Sequence, residues 1–366
     1  MRALVVGGTG PTGPYIVNGL RERGYAVTIF HRGTHEIPEI PDDVEHIHGD
    51  PHFEETIARA VEGRTFDVTV SSYGRLRLIA QALAGRTGYF VGIGGYAAYR
   101  GWVDPYALDP PGMTSPVPEE SAVVASEAEQ RFAWLIASSE RVVLETHPTG
   151  TMFRYPYVYG AYQVRPREWS IIRRLLDGRR EIILPQYGLS LSTHGWAGNC
   201  AQAVLCAIDR PSIAAGKTYN CGDAQQLTLG QVTQVIARTL DRKVEIIPVS
   251  YELAGTHRAM VLSPLGHQLL DISKVRYELG YEDVKGVREA LAQTAKWYVD
   301  HPPRAGGDIE RALGDPFDYA AEDRFIAAYR RAQYELSEFS SDAGNIDWHP
   351  YAHPREPGKA RDQRDR

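Results

Sequence analysis

With 366 residues, 43% of them apolar, the chain can bury a large α/β core and carry a smaller second region. Its net charge of −6 gives no general attraction to nucleic acid or an anionic membrane, and no apolar run is long enough to span a bilayer. Three cysteines (Cys200, Cys206 and Cys221) are odd in number and lack metal-ligand spacing. They read as buried thiols of a reducing compartment, and with no signal peptide ahead of the first strand the expected location is cytoplasmic.

The first thirty residues carry the strongest pattern. Residues 1–6 are a short apolar run of strand type, followed by Gly7-Gly8-Thr9-Gly10-Pro11-Thr12-Gly13. Residues 15–24 place Ile16, Val17 and Leu20 on one helical face, and 26–30 form a second strand. Strand, glycine loop, helix, strand is the order in which a Gly-rich loop means dinucleotide binding. Glycines let the backbone approach a pyrophosphate, and the helix N-terminus offers N–H donors and the positive end of a dipole. Gly7, Thr9, Gly10, Pro11, Thr12 and Gly13 are therefore candidate cofactor contacts. The second strand ends in His31-Arg32-Gly33, with no acidic residue to hold a ribose 2′-OH. Arg32 suits a 2′-phosphate, so the reading is NADP, with NAD as runner-up. A solvated Arg32, or one stacked on adenine, is the alternative.

A third strand over 44–48 runs into Gly49-Asp50, where Asp50 can accept from an adenine amino group. A helix over 53–62 and a strand over 66–70 follow. Ser71-Ser72-Tyr73 stands at that strand's C-terminal end, where ligands bind in open α/β sheets, which adds Ser71 and Ser72 to the candidates. A helix over 76–84 leads to a fifth strand, 88–93. Beyond it come Gly94-Gly95-Tyr96-Ala97-Ala98-Tyr99 and a long loop rich in Pro and Tyr. The pattern then predicts a helix over 122–137, a strand over 142–146, and an extended piece over 152–156 whose Tyr155 and Pro156 lie near the cofactor. Further helices are expected at 171–176, 197–208, 229–240, 287–301 and 322–339, with strands at 182–184, 218–221 and 244–249. The fold class is α/β: a doubly wound parallel sheet of Rossmann type with a smaller C-terminal α/β substrate region. The dinucleotide domain is expected over 1–165, with parts of 190–225 returning to it. A substrate region over 166–303, a helical extension over 304–348 and a disordered tail over 349–366 complete the division.

These landmarks resemble the extended and atypical short-chain dehydrogenase/reductases, the NAD-dependent epimerase/dehydratase superfamily, over about residues 1–303. The resemblance rests on Gly7-Gly-Thr-Gly-x-x-Gly13, Gly49-Asp50, Ile93-Gly-Gly-x-x-x-Tyr99, Arg154-Tyr-Pro-Tyr-Val-Tyr-Gly160, Asn220-Cys-Gly222 and Thr294-Ala-Lys-Trp-Tyr298. Phe30-His-Arg-Gly33 is similar to the atypical branch that includes chloroplast RNA-binding relatives and bacterial reductases. The resemblance implies hydride exchange with nicotinamide and a Ser/Thr, a Tyr and a Lys in Tyr-x-x-x-Lys spacing. This chain departs from it: Gly95 stands at the Ser position, Val123 at the Tyr and Glu127 at the Lys. No register restores the pair, because the first lysine of the chain is Lys217.

The candidate proton donors are therefore Tyr96 and Tyr99, phenols that can act as neutral acids, and His194, which can bind substrate or shuttle a proton near neutrality. A structural role is the alternative for each, most of all for Tyr99. Glu127 as a base is the lesser candidate. Arg165, Arg167, Arg173, Arg174, Arg179 and Arg180 read mostly as a solvated face. The pocket is expected to be rich in aromatics, with Tyr96, Tyr99, Trp102, Tyr155, Tyr157, Tyr159, Trp169, Tyr187 and Trp196, and to suit an apolar or aromatic small molecule or a stacked sugar, the alternative being that several of these rings are core. The functional expectation is an NAD(P)-dependent oxidoreductase or redox-coupled epimerase/dehydratase. The alternative is a catalytically degenerate, nucleotide-dependent binding protein, RNA binding being a sub-case that the acidic composition disfavours. The C-terminal aromatics suit packing across the pocket or against a second copy in a homodimer.

Overall fold

The computed structural model describes residues 1–72, 75–253 and 266–339. Tyr73 and the expected tail over 349–366 lie outside the described residues. Seven parallel strands build the central sheet. In chain order its first six are β1 (Arg2–Val6), β2 (Ala26–His31), β3 (Glu45–His48), β4 (Phe66–Ser71), β5 (Thr87–Gly95) and β6 (Thr151–Tyr155). The smaller strands are β7 (Tyr157–Tyr159), β8 (Glu181–Pro185), β9 (His194–Trp196), β10 (Thr218–Asn220) and β11 (Glu245–Val249). The main sheet runs β10-β6-β5-β4-β1-β2-β3, a Rossmann-like order. Two short parallel pairs, β7 with β9 and β8 with β11, lie outside it.

Helices α1 (Gly13–Glu22), α2 (Glu54–Val61), α3 (Leu76–Ala82) and α4 (Arg131–Thr146) belong to the N-terminal half. Then come α5 (Glu168–Leu176), α6 (Ala197–Asp209), α7 (Pro211–Ala214), α8 (Leu229–Thr239), α9 (Ser273–Leu279), α10 (Val287–Asp300) and α11 (Asp308–Leu313). The central strands are apolar on both faces, as a sheet covered on both sides requires. Ile16, Val17 and Leu20 of α1 pack with Cys200, Val204 and Cys206 of α6 against one face. Ile57, Ile79 and Val143 pack against the other. A separate apolar cluster joins α5, β8, α8 and α10 through Ile172, Leu175, Ile182, Ile236 and Ala295. The chain divides into two compact units, Met1–Phe317 and one that starts at Asp318. The second holds α12 (Tyr319–Ser337), whose N-terminus is capped by the Asp318 carboxylate accepting from the Ala321 N–H at 3.0 Å.

Two expectations for the middle of the chain are corrected. The helix expected over 122–137 begins at Arg131, where the Gln130 side chain accepts from the Ala133 N–H at 2.7 Å and caps it. The strand expected over 142–146 is the end of that helix. Its Val142-Val143-Leu144 run reads as a strand because β-branched residues cluster there, but only Val143 of the three is fully buried, the mark of one helical face. The strand beside β5 is β6, buried at all five positions.

Candidate functional site

The sheet order reverses between β1 and β4, and the glycine loop leaves β1 at that point. Gly7 and Gly8 adopt φ of +107° and +90°. Gly13 opens α1 with its Cα so close to the loop that a Cβ there would sit 2.1 Å from the Gly8 carbonyl oxygen. The loop is thus folded back on itself in a way that only glycine permits. The first turn of α1 carries no acidic residue, and Thr12 makes no side-chain cap, so the positive end of the helix is left for an anion. Gly10 is exposed, Thr9 and Pro11 are half-buried and Thr12 is buried.

At the end of β4, Ser71 is fully buried and its hydroxyl has no partner among the described residues. The exposed Ser72 donates its N–H to the Val6 carbonyl at 3.3 Å, which fixes it beside the loop. Arg32 is exposed just past β2. Asp50 accepts the His52 N–H at 3.0 Å and lies 2.8 Å from the His52 ring nitrogen; these contacts hold its carboxyl below the usual range. The cradle therefore fits a dinucleotide: a glycine turn at the switch point, an uncapped helix N-terminus, a serine unpartnered among the described residues and an exposed arginine whose charge acts on Asp50.

Tyr155 and Pro156 stand at the C-terminal end of β6, where Tyr155 pairs with Gly95 of β5. Tyr155 is buried and donates its hydroxyl to the Cys200 carbonyl of α6 at 2.9 Å, which turns the ring into the core. Pro156 is buried in the short turn between β6 and β7. Tyr99 is also sealed. Its hydroxyl donates to the Asn220 side-chain carbonyl at 2.8 Å, and the Arg154 guanidinium lies 4.5 Å from its ring centroid. Arg154 is bidentate on Glu140 of α4, at 2.9 and 2.7 Å, and bonds the Glu119 carbonyl at 2.9 Å. Tyr99 and Arg154 together bolt β5, β6, α4 and β10 to one another. Val123 pairs with Tyr99 in an isolated bridge. Glu127 is an exposed partner of Arg131 at 3.0 Å, which makes it a surface ion pair rather than a base.

Beyond the C-terminal end of β6 lies a cavity with about 620 Å³ of empty space, part of it open to solvent. Its lining is mostly aliphatic: Ile171 of α5, Leu227, Leu229 and Val232 around the start of α8, and Val287 and Leu291 of α10. Tyr159 is the one aromatic side chain among the expected set that lines it. Of the others, Tyr99, Tyr155 and Trp169 found hydrogen-bond partners in the core, as buried Tyr and Trp do, whereas Tyr187 is exposed. Trp169, for example, donates its indole N–H to Glu310 at 2.9 Å.

Five polar side chains converge on this cavity: Arg167, Glu168, Ser190, His194 and Gln226. Gln226 clamps the start of β9, accepting the His194 N–H at 2.8 Å and donating to its carbonyl at 2.9 Å. The His194 Nδ1 is 2.8 Å from the Ser192 carbonyl, an acceptor, so Nδ1 carries the proton and Nε2 is an acceptor. Burial, with help from the Arg167 charge, lowers this imidazole to about 4. His194 is thus neutral at pH 7, and the expectation of titration near neutrality is corrected. Glu168 behaves in the opposite sense. Burial raises its carboxyl to about 7, and Oε2 has no hydrogen-bond partner among the described residues. Arg167 lies over the Tyr157 ring at 4.2 Å, with Nε and Nη1 likewise unpartnered.

Tyr96 follows β5 directly. Its ring packs on Trp102 at 4.0 Å between centroids, and burial raises its phenol while the Arg167 charge pulls the other way. Arg167 is therefore the cation that Tyr96 and the cavity share. Neither Arg167 nor Glu168 stood out in the sequence as more than part of an arginine-rich run. The signal that was present is Pro166-Arg-Glu-Trp169 at a helix start, where a carboxylate is ordinary. The expectation of a solvated arginine face fails most clearly at Arg174. That side chain is fully buried and pairs with the fully buried Asp315 at 2.6 and 2.9 Å, tying α5 to the segment after α11.

No known family's sequence profile matches the chain. One curated protein, the uncharacterized protein YbjS of Escherichia coli K12, is 24% identical over 193 residues, 46% of this chain and 57% of its own length. The match thus spans little more than half of that relative. Among solved structures, UDP-glucose 4-epimerase of Thermotoga maritima with UDP-glucose superposes with a TM-score of 0.66 at 16% identity, over 83% of this chain and all of its own. DesIV, a dTDP-glucose 4,6-dehydratase of Streptomyces venezuelae with NAD and TYD bound, superposes with a TM-score of 0.62 at 19% identity, over 82% of this chain and 97% of its own. The chain has the fold of this epimerase and this dehydratase.

Proposed function

We propose that this chain binds a nicotinamide dinucleotide along the C-terminal edge of its sheet and catalyses hydride transfer on a small, mainly apolar substrate in the adjoining cavity. The reaction is that of a reductase or a redox-coupled isomerase or dehydratase. The observation that carries this reading is the juxtaposition of a glycine cradle at the β1/β4 switch point with an aliphatic cavity holding a buried, unpartnered carboxyl at Glu168. The fold, shared with enzymes that hold NAD, supports it. NADP is the preferred form, because Arg32 is exposed where the adenosine ribose would lie and no acidic residue stands at the end of β2.

When bound, the dinucleotide supplies a hydride donor or acceptor. Gly7–Gly13 and the start of α1 hold its pyrophosphate. Tyr96 donates a proton as a neutral phenol to a substrate oxygen, with Arg167 stabilising negative charge that develops there. Glu168 takes or gives a proton at Oε2 near neutral pH, the role its raised pKa suits. The Nε2 of His194 accepts a substrate hydrogen bond. The test mixes the full chain with NADPH or NADH and a panel of apolar carbonyl and enone compounds, following nicotinamide absorbance. Turnover is expected, and Tyr96→Phe should lower kcat at least tenfold with cofactor affinity intact. Tight cofactor binding without turnover across the panel would favour a nucleotide-dependent binding protein instead.

A further inference from the structure

Away from the cavity, at the β2–β3 edge of the sheet, three imidazoles and one carboxylate converge. In the parallel register of β2 and β3, His31 stands opposite His48 and Ile29 opposite His46. His46 and His48 are two residues apart on β3 and so share a face. Glu36 reaches them from the loop after β2. That loop is anchored by the buried Ile37, Ile40 and Val44, so the Glu36 backbone is held beside the core. The Nε2 of His31 is 3.2 Å from the Nδ1 of His46. The Glu36 carboxylate lies 3.7 Å from His31, 3.2 Å from His46 and 3.3 Å from His48. One ligand atom from each of the four residues lies within 4.8 Å of all the others.

We propose that His31 Nε2, His46 Nδ1, His48 Nε2 and Glu36 form a four-ligand site for a divalent transition ion, zinc by preference. Tetrahedral zinc holds imidazole nitrogen and carboxylate oxygen at about 2.1 Å, which places neighbouring ligand atoms about 3.4 Å apart. The separations of 3.2–3.7 Å, taken to one or other Glu36 oxygen, bracket that edge, and the remaining ligand-atom pairs lie within 4.8 Å. The rings agree as well. Their interplanar angles are 73–86° and their centroids 5.0–6.0 Å apart, so all three are edge-on to one another and none is stacked. Imidazoles bound through nitrogen to one tetrahedral ion have centroids about 5 Å apart. A lone carboxylate offers two oxygens to three imidazoles, and a cation at the centre satisfies all four groups together. His48 and Glu36 are half or more exposed, which provides a route in. Gly33, at φ +69°, lets the loop lie against the His48 ring, where a Cβ would come within 3.0 Å.

With all four positions filled by protein the site is structural, in the manner of closed zinc sites. The ion cross-links β2, the loop over 32–44 and β3, and fixes the backbone on both sides of Arg32. The proposal does not depend on the hydride-transfer reading. Its test uses the full chain without an affinity tag, stripped with a chelator, dialysed and titrated with Zn²⁺ against a chromophoric competitor. One tight equivalent is expected, with affinity lowered at least a hundredfold in His46→Ala and in His48→Ala. His48 is exposed on an edge strand, so its replacement leaves the fold intact. Co²⁺ should give the visible absorption of tetrahedral coordination in the wild type alone. Zn²⁺ should raise the melting temperature of the wild type and not of His48→Ala. Absence of binding at low micromolar Zn²⁺, or equal affinity in wild type and His48→Ala, would overturn the proposal.

Discussion

The cradle and the cavity are built from different materials. The cradle is main chain: Gly7, Gly8 and Gly13 shape it, and the start of α1 supplies its polarity. The cavity is made by side chains from segments far apart in sequence, with Glu168, His194 and Arg167 held in an aliphatic wall. A pyrophosphate is recognised by any backbone that can approach it, so its site can be coded in seven consecutive residues. Proton chemistry needs groups whose pKa values are displaced by burial, and burial is a property of the packed chain. Here the two carry opposite shifts within one cavity, Glu168 upward and His194 downward.

The largest expected effect breaks the cavity's scaffold and spares the cradle. Arg174→Ala leaves the buried Asp315 carboxylate without its counter-charge, with the Phe317 N–H still donating to it, and should cost about 3–5 kcal/mol in urea unfolding. A loss below about 1 kcal/mol would mean that the pair is not a structural tie. Next, Glu168→Gln separates ionisation from shape. The folded-state carboxyl, at about 7, lies above its unfolded value, so the wild type loses stability as pH rises from about 4 through 7. The variant should escape that loss and gain on the wild type by about 3 kcal/mol between pH 4 and pH 8. Parallel stability–pH curves for the two proteins would remove Glu168 as a buried titrating group.

On the cradle side, Gly13→Val forces a Cβ into the Gly8 carbonyl. Dinucleotide affinity, read by fluorescence titration, should fall about a hundredfold, roughly 3 kcal/mol. Unchanged affinity would place the nucleotide elsewhere. Arg32→Asp is the smallest change and the most specific. It should reverse the NADP/NAD preference by about tenfold, with stability unaltered. An unchanged ratio of affinities would show that Arg32 does not read the 2′-substituent.

Much of the fold was legible because periodicity and glycine punctuation are local. The runs 1–6, 26–30 and 66–70 are strands in the sheet, and Cys200 and Cys206 share α6. The error over 142–146 came from weighing β-branched residues above the one-sided burial that a helix on a sheet imposes. That no lysine precedes Lys217 was equally legible, since it is a matter of composition. The replacement chemistry was not. Arg167 and Arg174 sit in one arginine-rich run, yet one faces the cavity and the other is buried on Asp315, 141 residues away.

The amino-acid sequence by itself determined the α/β alternation, the glycine loop and the lack of any lysine before Lys217, because each is written in neighbouring residues or in an absence. Only the tertiary structure decided which phenols are sealed, which carboxyl is raised, and that His31, Glu36, His46 and His48 meet at one point. Those outcomes follow from desolvation and from contacts across strands and loops. Both depend on where the chain returns in space, which no local pattern records.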